Sequence, residues 1–232
     1  MVPDQLQAVR ARIAAAARRV GRPSESVRLI CVTKSATSAQ LQEALAAGVT
    51  DCGESRVQAA EARIRDLEPG TSVRWPRLAD TEPGTSVRWH LIGHLQRNKA
   101  RRALELFDVI HAVDSLELAD ALERHAAALG RAVPTLIEVN TSGELAKHGV
   151  APEATEALVA AARRLPHLQV QGLMTMAPIV SQPEQARPYF RRLRELAAAC
   201  RLPELSMGMS QDFEVAIEEG ATMVRVGGAI FG

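Results

Sequence analysis

The sequence predicts a closed (β/α)8 barrel, an α/β fold of the TIM type, with one extra helix at its N-terminus. Three observations carry that reading. Eight short, apolar or β-branched segments recur along the chain, and most are followed by a stretch with helical periodicity, the alternation that builds a parallel sheet. Eight such units within about 200 residues match the lower end of this barrel's size range. The first strand runs into Thr33-Lys34-Ser35, with neither the GxGxxG nor the GxxxxGK[ST] turn that would mark an open, nucleotide-binding sheet. No linker rich in Pro, Gly or Ser divides the 232 residues, so a single domain spanning 1–232 is expected.

Residues 4–20 place apolar and basic positions at helical spacing, and Gly21 with Pro23 stops that helix. The run 27–33 (VRLICVT) reads as a buried strand. Ser38 is expected to cap a helix through Ala47, which Gly48 ends. Strand 49–53 precedes a helix near 56–67, and strand 87–93 one near 96–106. Strand 107–113 leads to a helix over 115–129, and strand 133–140 to one near 152–164. Strand 168–174 is followed by a helix near 183–200, strand 205–207 by one near 212–219, and strand 222–226 comes last. The octapeptide EPGTSVRW occurs at 68–75 and again at 82–89, a local duplication in a helix-to-strand loop. Such loops lie on the N-terminal face of a barrel. Only the second copy continues into the apolar His90-Leu91-Ile92-Gly93, so only the second is expected to supply a strand.

Composition excludes several classes. A net charge of +1 argues against a dedicated nucleic-acid binder. Cys31, Cys52 and Cys200 lie far apart with no CxxC pair, which fits neither a disulfide scaffold nor a zinc site. His94, His111, His125, His148 and His167 show no HxxxH spacing, so no metal site is expected. Arginines run through the first apolar segment, which therefore reads as neither a signal peptide nor a membrane span, and a cytoplasmic location is expected. No single exposed apolar stripe stands out, so a monomer is expected. Of the 28 basic residues 25 are Arg, and only Lys34, Lys99 and Lys147 are Lys. A lysine kept in such a chain is a candidate for chemistry that needs a primary amine.

In a (β/α)8 barrel the site lies at the C-terminal ends of the strands. Those ends deliver Lys34, then Glu54 with Ser55, His90 with Gly93, Asn140, Met174, the Gly208-Met209-Ser210 turn, and Arg225 followed by Gly227-Gly228. The collection holds an amine, a guanidinium and two small-residue turns, with no carboxylate pair and no metal cluster. Backbone N–H groups of the two turns and the Ser210 hydroxyl can hold an anion, at the usual phosphate position of this barrel. An amine beside a phosphate cup suits pyridoxal 5′-phosphate. Most pyridoxal enzymes set a carboxylate at the pyridine nitrogen, whereas Arg225 there would leave that nitrogen unprotonated.

The chain closely resembles the pyridoxal phosphate homeostasis proteins. The resemblance rests on Val32-Thr33-Lys34, Cys52-Gly53-Glu54-Ser55, Asn140–Glu144, Lys147-His148-Gly149 and Gly172–Met176. It extends to the run WHLIGHLQRNK (89–99), to Gly208-Met209-Ser210 with Asp212, and to the tail VRVGGAIFG (224–232). It implies a barrel like the N-terminal domain of alanine racemase, with pyridoxal phosphate held as a Schiff base on Lys34. By the same resemblance Ser210, Gly227 and Gly228 hold the phosphate and Arg225 faces the pyridine nitrogen. Ser55 stands where the family usually carries Asn and is taken as a further cofactor-binding position. The family is thought to buffer or deliver the cofactor, with apo-enzymes as recipients and no established reaction.

An amino-acid racemase on the same barrel is the competing reading. It needs a second proton-transfer group opposite the lysine, which in alanine racemases is a tyrosine of a separate C-terminal domain. The chain stops at Gly232, and its only tyrosine, Tyr189, opens a helix and reads as structural. His90 or a partner chain would have to supply the base. An unrelated phosphate-binding isomerase would use an acidic base, for which Glu54 is the candidate.

Overall fold

A computed structural model describes residues 1–67 and 87–232. Eight parallel strands close into a barrel in sequence order. They are β1 (Arg28–Val32), β2 (Asp51–Glu54), β3 (Arg88–Leu91), β4 (Val109–Val113), β5 (Val133–Glu138), β6 (Leu168–Met174), β7 (Glu204–Ser206) and β8 (Met223–Val226). Helix α1 (Val2–Arg19) precedes them. Between strands run α2 (Ser38–Ala46), α3 (Val57–Leu67), α4 (Ala100–Leu106), α5 (Leu116–Ala128), α6 (Thr155–Ala162), α7 (Arg187–Ala199) and α8 (Phe213–Glu218). A short α9 (Gly228–Phe231) follows β8. Closure is made by β8 against β1, in register from Arg28 opposite Met223 to Cys31 opposite Val226. The barrel and its extra N-terminal helix are therefore as the sequence predicts.

The differences have local causes. Thr37, not Ser38, caps α2, because its hydroxyl accepts from Gln40 N (3.2 Å) while the Gln40 amide oxygen accepts from Thr37 N (2.9 Å). Strand β5 ends at Glu138, two residues short of Asn140. Beyond it Val139 bridges Val150, and the Asn140 side chain turns the chain by accepting from Gly143 N (3.0 Å). Helix α9 has four residues, too few to show a helical period. Of the duplicated octapeptide, Arg88 and Trp89 open β3, and the span 68–86 lies outside the described residues.

The large apolar core lies between the sheet and the surrounding helices. Strands buried on that side alternate inward, and the barrel interior holds only a small apolar cluster of Ile30, Val109, Leu136, Met174 and Met223. Cys31 and Cys52 face the outer core as register partners on neighbouring strands, and burial pushes the Cys31 thiol up to about 12. Helix α1 buries Val2, Leu6, Val9, Ile13, Ala16 and Ala17 along one face, packed on α8, α9 and α2. Arg12 fixes it there, with a two-point bond to Glu214 (3.1 and 3.0 Å) and its guanidinium 4.5 Å from the Phe213 ring centre.

Strands β6 and β7 approach so closely at Gly172 that a Cβ there would fall onto the Glu204 carbonyl. Gly172→Ala is expected to destabilise the protein by about 1–3 kcal/mol through backbone displacement, read as a lower midpoint of urea unfolding. An unchanged midpoint would contradict this packing.

Candidate functional site

The C-terminal rim gathers most of the expected residues in one sector. Lys34 is exposed just past β1 and forms no ion pair with the described residues. Beside it, Gly227 follows β8, and its missing Cβ would lie 2.8 Å from the Val32 carbonyl oxygen, so no side chain fits between these strand ends. At Gly228 the space is open, with Ser210 Oγ at 3.8 Å from a Cβ position. Ser210 Oγ accepts from Ala229 N (3.3 Å), joining the turn after β7 to the turn after β8. That first turn is latched by Asp212, which accepts from Met209 N (2.6 Å), and Gly208 takes the left-handed φ of 91° that the turn needs.

Beneath the rim, Arg225 points into the barrel and is buried. Its Nη1 donates to Ser206 Oγ (2.7 Å) and its Nη2 to the Thr175 carbonyl (2.8 Å). From Ser206 a line of bonds crosses the barrel through His111 Nδ1 (3.0 Å), from His111 Nε2 to His90 Nδ1 (2.9 Å), and from His90 Nε2 to Asp51 Oδ1 (2.9 Å). A guanidinium only donates and a carboxylate only accepts, so with both imidazoles neutral, the state that burial favours, one arrangement satisfies every bond. Ser206 donates to His111, His111 donates from Nε2, and His90 donates from Nε2 to Asp51. Burial drives His111 well below the ordinary histidine range, with His90 and Arg225 adding to it. Burial also lowers His90, although Asp51 opposes it. Burial lowers Arg225 to about 10, which leaves it charged at neutral pH.

The structure adds a carboxylate that strand-end reading missed. Because β5 ends at Glu138 rather than Asn140, Glu138 is the inward group there, buried, with Oε2 lacking a hydrogen-bond partner among the described residues. Burial raises it to about 7, Asp114 adds to the rise, and Arg225 offsets part of it. Asp114, just past β4, was also passed over. Glu138 and Asp114 thus add two acidic groups to the strand ends that the sequence reading did not collect.

The remaining candidates separate. Ser55 follows β2, on the far side of β1 from Gly227, and its carbonyl lies 2.5 Å from where a Gly93 Cβ would be. Glu54 is engaged by the Thr33 hydroxyl (2.7 Å) and Ser55 N (3.3 Å), so it braces the β1 and β2 ends. Lys147 pairs with Glu144 (2.9 Å), and Lys99 lies in the turn before α4. Tyr189 sits on the outer helix α7, packed against the outer core. His90 is bonded at both ring nitrogens.

A carboxyl raised on folding stabilises the fold while protonated, so its contribution is complete below about 4.5 and is lost as pH rises through about 7. Glu138→Gln should therefore gain stability over the parent as pH rises from 5 to 8, by up to about 3 kcal/mol. Denaturant unfolding of both proteins without cofactor reads this gap, and the losses below about pH 6.5 from keeping His90 and His111 neutral cancel in the difference. A gap that does not change with pH would contradict the buried, unpartnered carboxyl.

Residues 5–232 match the family model described as alanine racemase, N-terminal domain. A protein of Aquifex aeolicus named pyridoxal phosphate homeostasis protein is 38% identical over 235 residues, covering 99% of this chain and 96% of its own. A crystal structure of a protein from Bifidobacterium adolescentis superposes with a TM-score of 0.86 at 38% identity, covering 99% of this chain and 94% of that one. PipY of Synechococcus elongatus PCC7942, solved with PLP bound, gives a TM-score of 0.81 at 36% identity over the whole of both chains. The chain thus belongs to the alanine racemase N-terminal domain family and, within it, to the pyridoxal phosphate homeostasis proteins.

Proposed function

We propose that the chain, as one domain over 1–232, binds pyridoxal 5′-phosphate and buffers or delivers it to apo-enzymes as a cytoplasmic monomer. Lys34 is the amine that holds the aldehyde covalently, Ser210, Gly227 and Gly228 take the phosphate, Ser55 lines the site, and Arg225 faces the pyridine nitrogen. The observation that carries this reading is Arg225, a buried guanidinium with no ion pair among the described residues, beneath a rim where an amine meets two glycine turns. The fit is supported by the open space at Gly228 and by the orphaned oxygen of Glu138, polar capacity that a bound group would meet. The homeostasis name of the relatives and the PLP-bound PipY support it further.

When bound, the cofactor supplies an electron sink for the α-carbon of an amine, strongest when its ring nitrogen is protonated. Arg225 offers that nitrogen a donor and keeps its own proton. Neither candidate second base is placed to serve, since Tyr189 is on the outer layer and His90 is committed inside the barrel. These placements support a role in holding the cofactor without turnover.

Lys34→Ala is expected to abolish the visible absorbance of lysine-bound pyridoxal phosphate with circular dichroism unchanged. Lys34→Arg should fail equally, because it keeps the charge and cannot condense with an aldehyde. Borohydride reduction and peptide mapping should place the label on Lys34, and a label on Lys99 or Lys147 in the parent would overturn the assignment. In heavy water, α-proton exchange of alanine should stay below the roughly 1 per second typical of enzymes. Exchange at or above that rate, followed by NMR, would make the protein a racemase.

A further inference from the structure

Three loops on the C-terminal face bring together side chains far apart in sequence. His94 follows β3, Asp114 follows β4 and His148 precedes the Val139–Val150 bridge after β5. One ligand-capable atom from each lies within 4.8 Å of the others. The two imidazoles stack, with centres 3.8 Å apart and planes 10° from parallel, and His94 Nδ1 is 3.3 Å from Asp114 Oδ2. We propose that His94, Asp114 and His148 form a binding site for a divalent cation of the zinc class. This inference stands on loop geometry and does not rest on the cofactor reading.

The donor set is two imidazole nitrogens and one carboxylate oxygen, ligands that suit zinc and its borderline neighbours and disfavour magnesium or calcium. Metal–ligand bonds near 2.1 Å bring tetrahedral ligand atoms to about 3.4 Å from one another, so the donor atoms close by about 1 Å while the two imidazoles tilt out of their parallel stack to aim both lone pairs at one ion. Exposed His94 and His148 are free to make that tilt. The backbone beneath them is fixed by close approaches. A Cβ on Gly93 would lie 2.5 Å from Ser55 O, and one on Gly149 would lie 2.6 Å from Asn140 N, so each histidine is flanked by a glycine pressed against a strand end. Asp114 is oriented from behind, since its Oδ1 accepts from Ser115 Oγ (3.0 Å) and leaves Oδ2 for the histidines. Three protein ligands leave a coordination position open. It borders a cleft of about 540 Å³ lined by Gln96, Arg97, Ser115 and Glu117, where water or a small anion completes the shell.

The test uses the full chain, stripped of metal by chelation and freed of cofactor. Titration with Zn²⁺ by calorimetry should show one saturable equivalent. Co²⁺ should give visible d–d bands without the sulfur charge transfer that binding at Cys31, Cys52 or Cys200 would produce. His94→Ala and His148→Ala should each weaken Zn²⁺ binding at least about tenfold, and Asp114→Asn should do the same, with circular dichroism unchanged. His148→Gln serves if an alanine variant fails to fold. Absence of saturable Zn²⁺ binding by the parent would overturn the proposal. So would affinity unchanged in folded His94 and His148 variants, or a thiolate signature with Co²⁺.

Discussion

The interior of this barrel is organised by the need to satisfy one buried cation. Arg225 lies on β8 with its guanidinium enclosed, and an unpaired buried charge is too costly to leave without partners. Its partners are a hydroxyl and a carbonyl, which accept from two of its N–H groups without neutralising its charge. With both imidazoles neutral the hydroxyl of Ser206 passes its own proton on, and His111 and His90 accept and pass on in turn until Asp51 ends the line. Asp51 belongs at the far end. Arg28 and Arg88 lie 3.9 Å away there, and although burial would raise its carboxyl, the hydrogen bonds from His90 and Thr50 and the charge of Arg88 hold it below the usual range. This line takes the place of the branched aliphatic layers that ordinarily fill such a barrel, and it confines the interior apolar cluster to five residues.

That polar interior places the burden of stability on the outer layer. Helices and sheet meet there through a continuous apolar core, and the helix interface is reinforced by arginines in multi-point bonds. Arg187 reaches Glu184, Glu218 and Glu219, while Arg191 and Arg194 also converge on Glu219. Desolvation works against the Glu219 carboxylate, yet its guanidinium partners hold its pKa below the ordinary value. A planar fork makes several such bonds at once, which lysine does not, so the scarcity of lysine is compatible with how this surface is built. It also leaves the few remaining amines conspicuous.

Strands such as β1 and β4 were legible because they are largely buried and read as short apolar runs between turn residues. The same property hid the interior. In the run of β4, His111 sits among Ile110, Ala112 and Val113, and nothing local says that its ring meets His90 of β3 and Ser206 of β7. Glu138 was missed for a related reason, because Val139 and Asn140 continue the apolar alternation past the point where the chain turns back on Val150. The rim sector was more accessible, since Lys34, Ser210, Gly227 and Gly228 each follow a strand and closure makes β1 and β8 neighbours. His94, Asp114 and His148 come from three separate loops. A spacing rule such as HxxxH finds only ligands carried by one helix, so it was blind to them.

The interior line also decides what Arg225 can do at the rim. Each neutral imidazole spends its one N–H and its one lone pair within the line, so an added proton requires the Ser206 hydroxyl to turn away and, at His90, the His111 proton to change nitrogen. Burial opposes that proton as well, and it does so most strongly at His111. The line therefore transmits orientation and resists carrying protons. Arg225 is held in place by Ser206 and Thr175 and remains charged near neutral pH, since burial lowers it only to about 10. A ligand nitrogen set against it meets a donor that neither surrenders a proton nor swings aside. Such a group suits a protein that retains an aromatic ring in a weakly activated state, and the proposed homeostatic role asks for that more than for turnover.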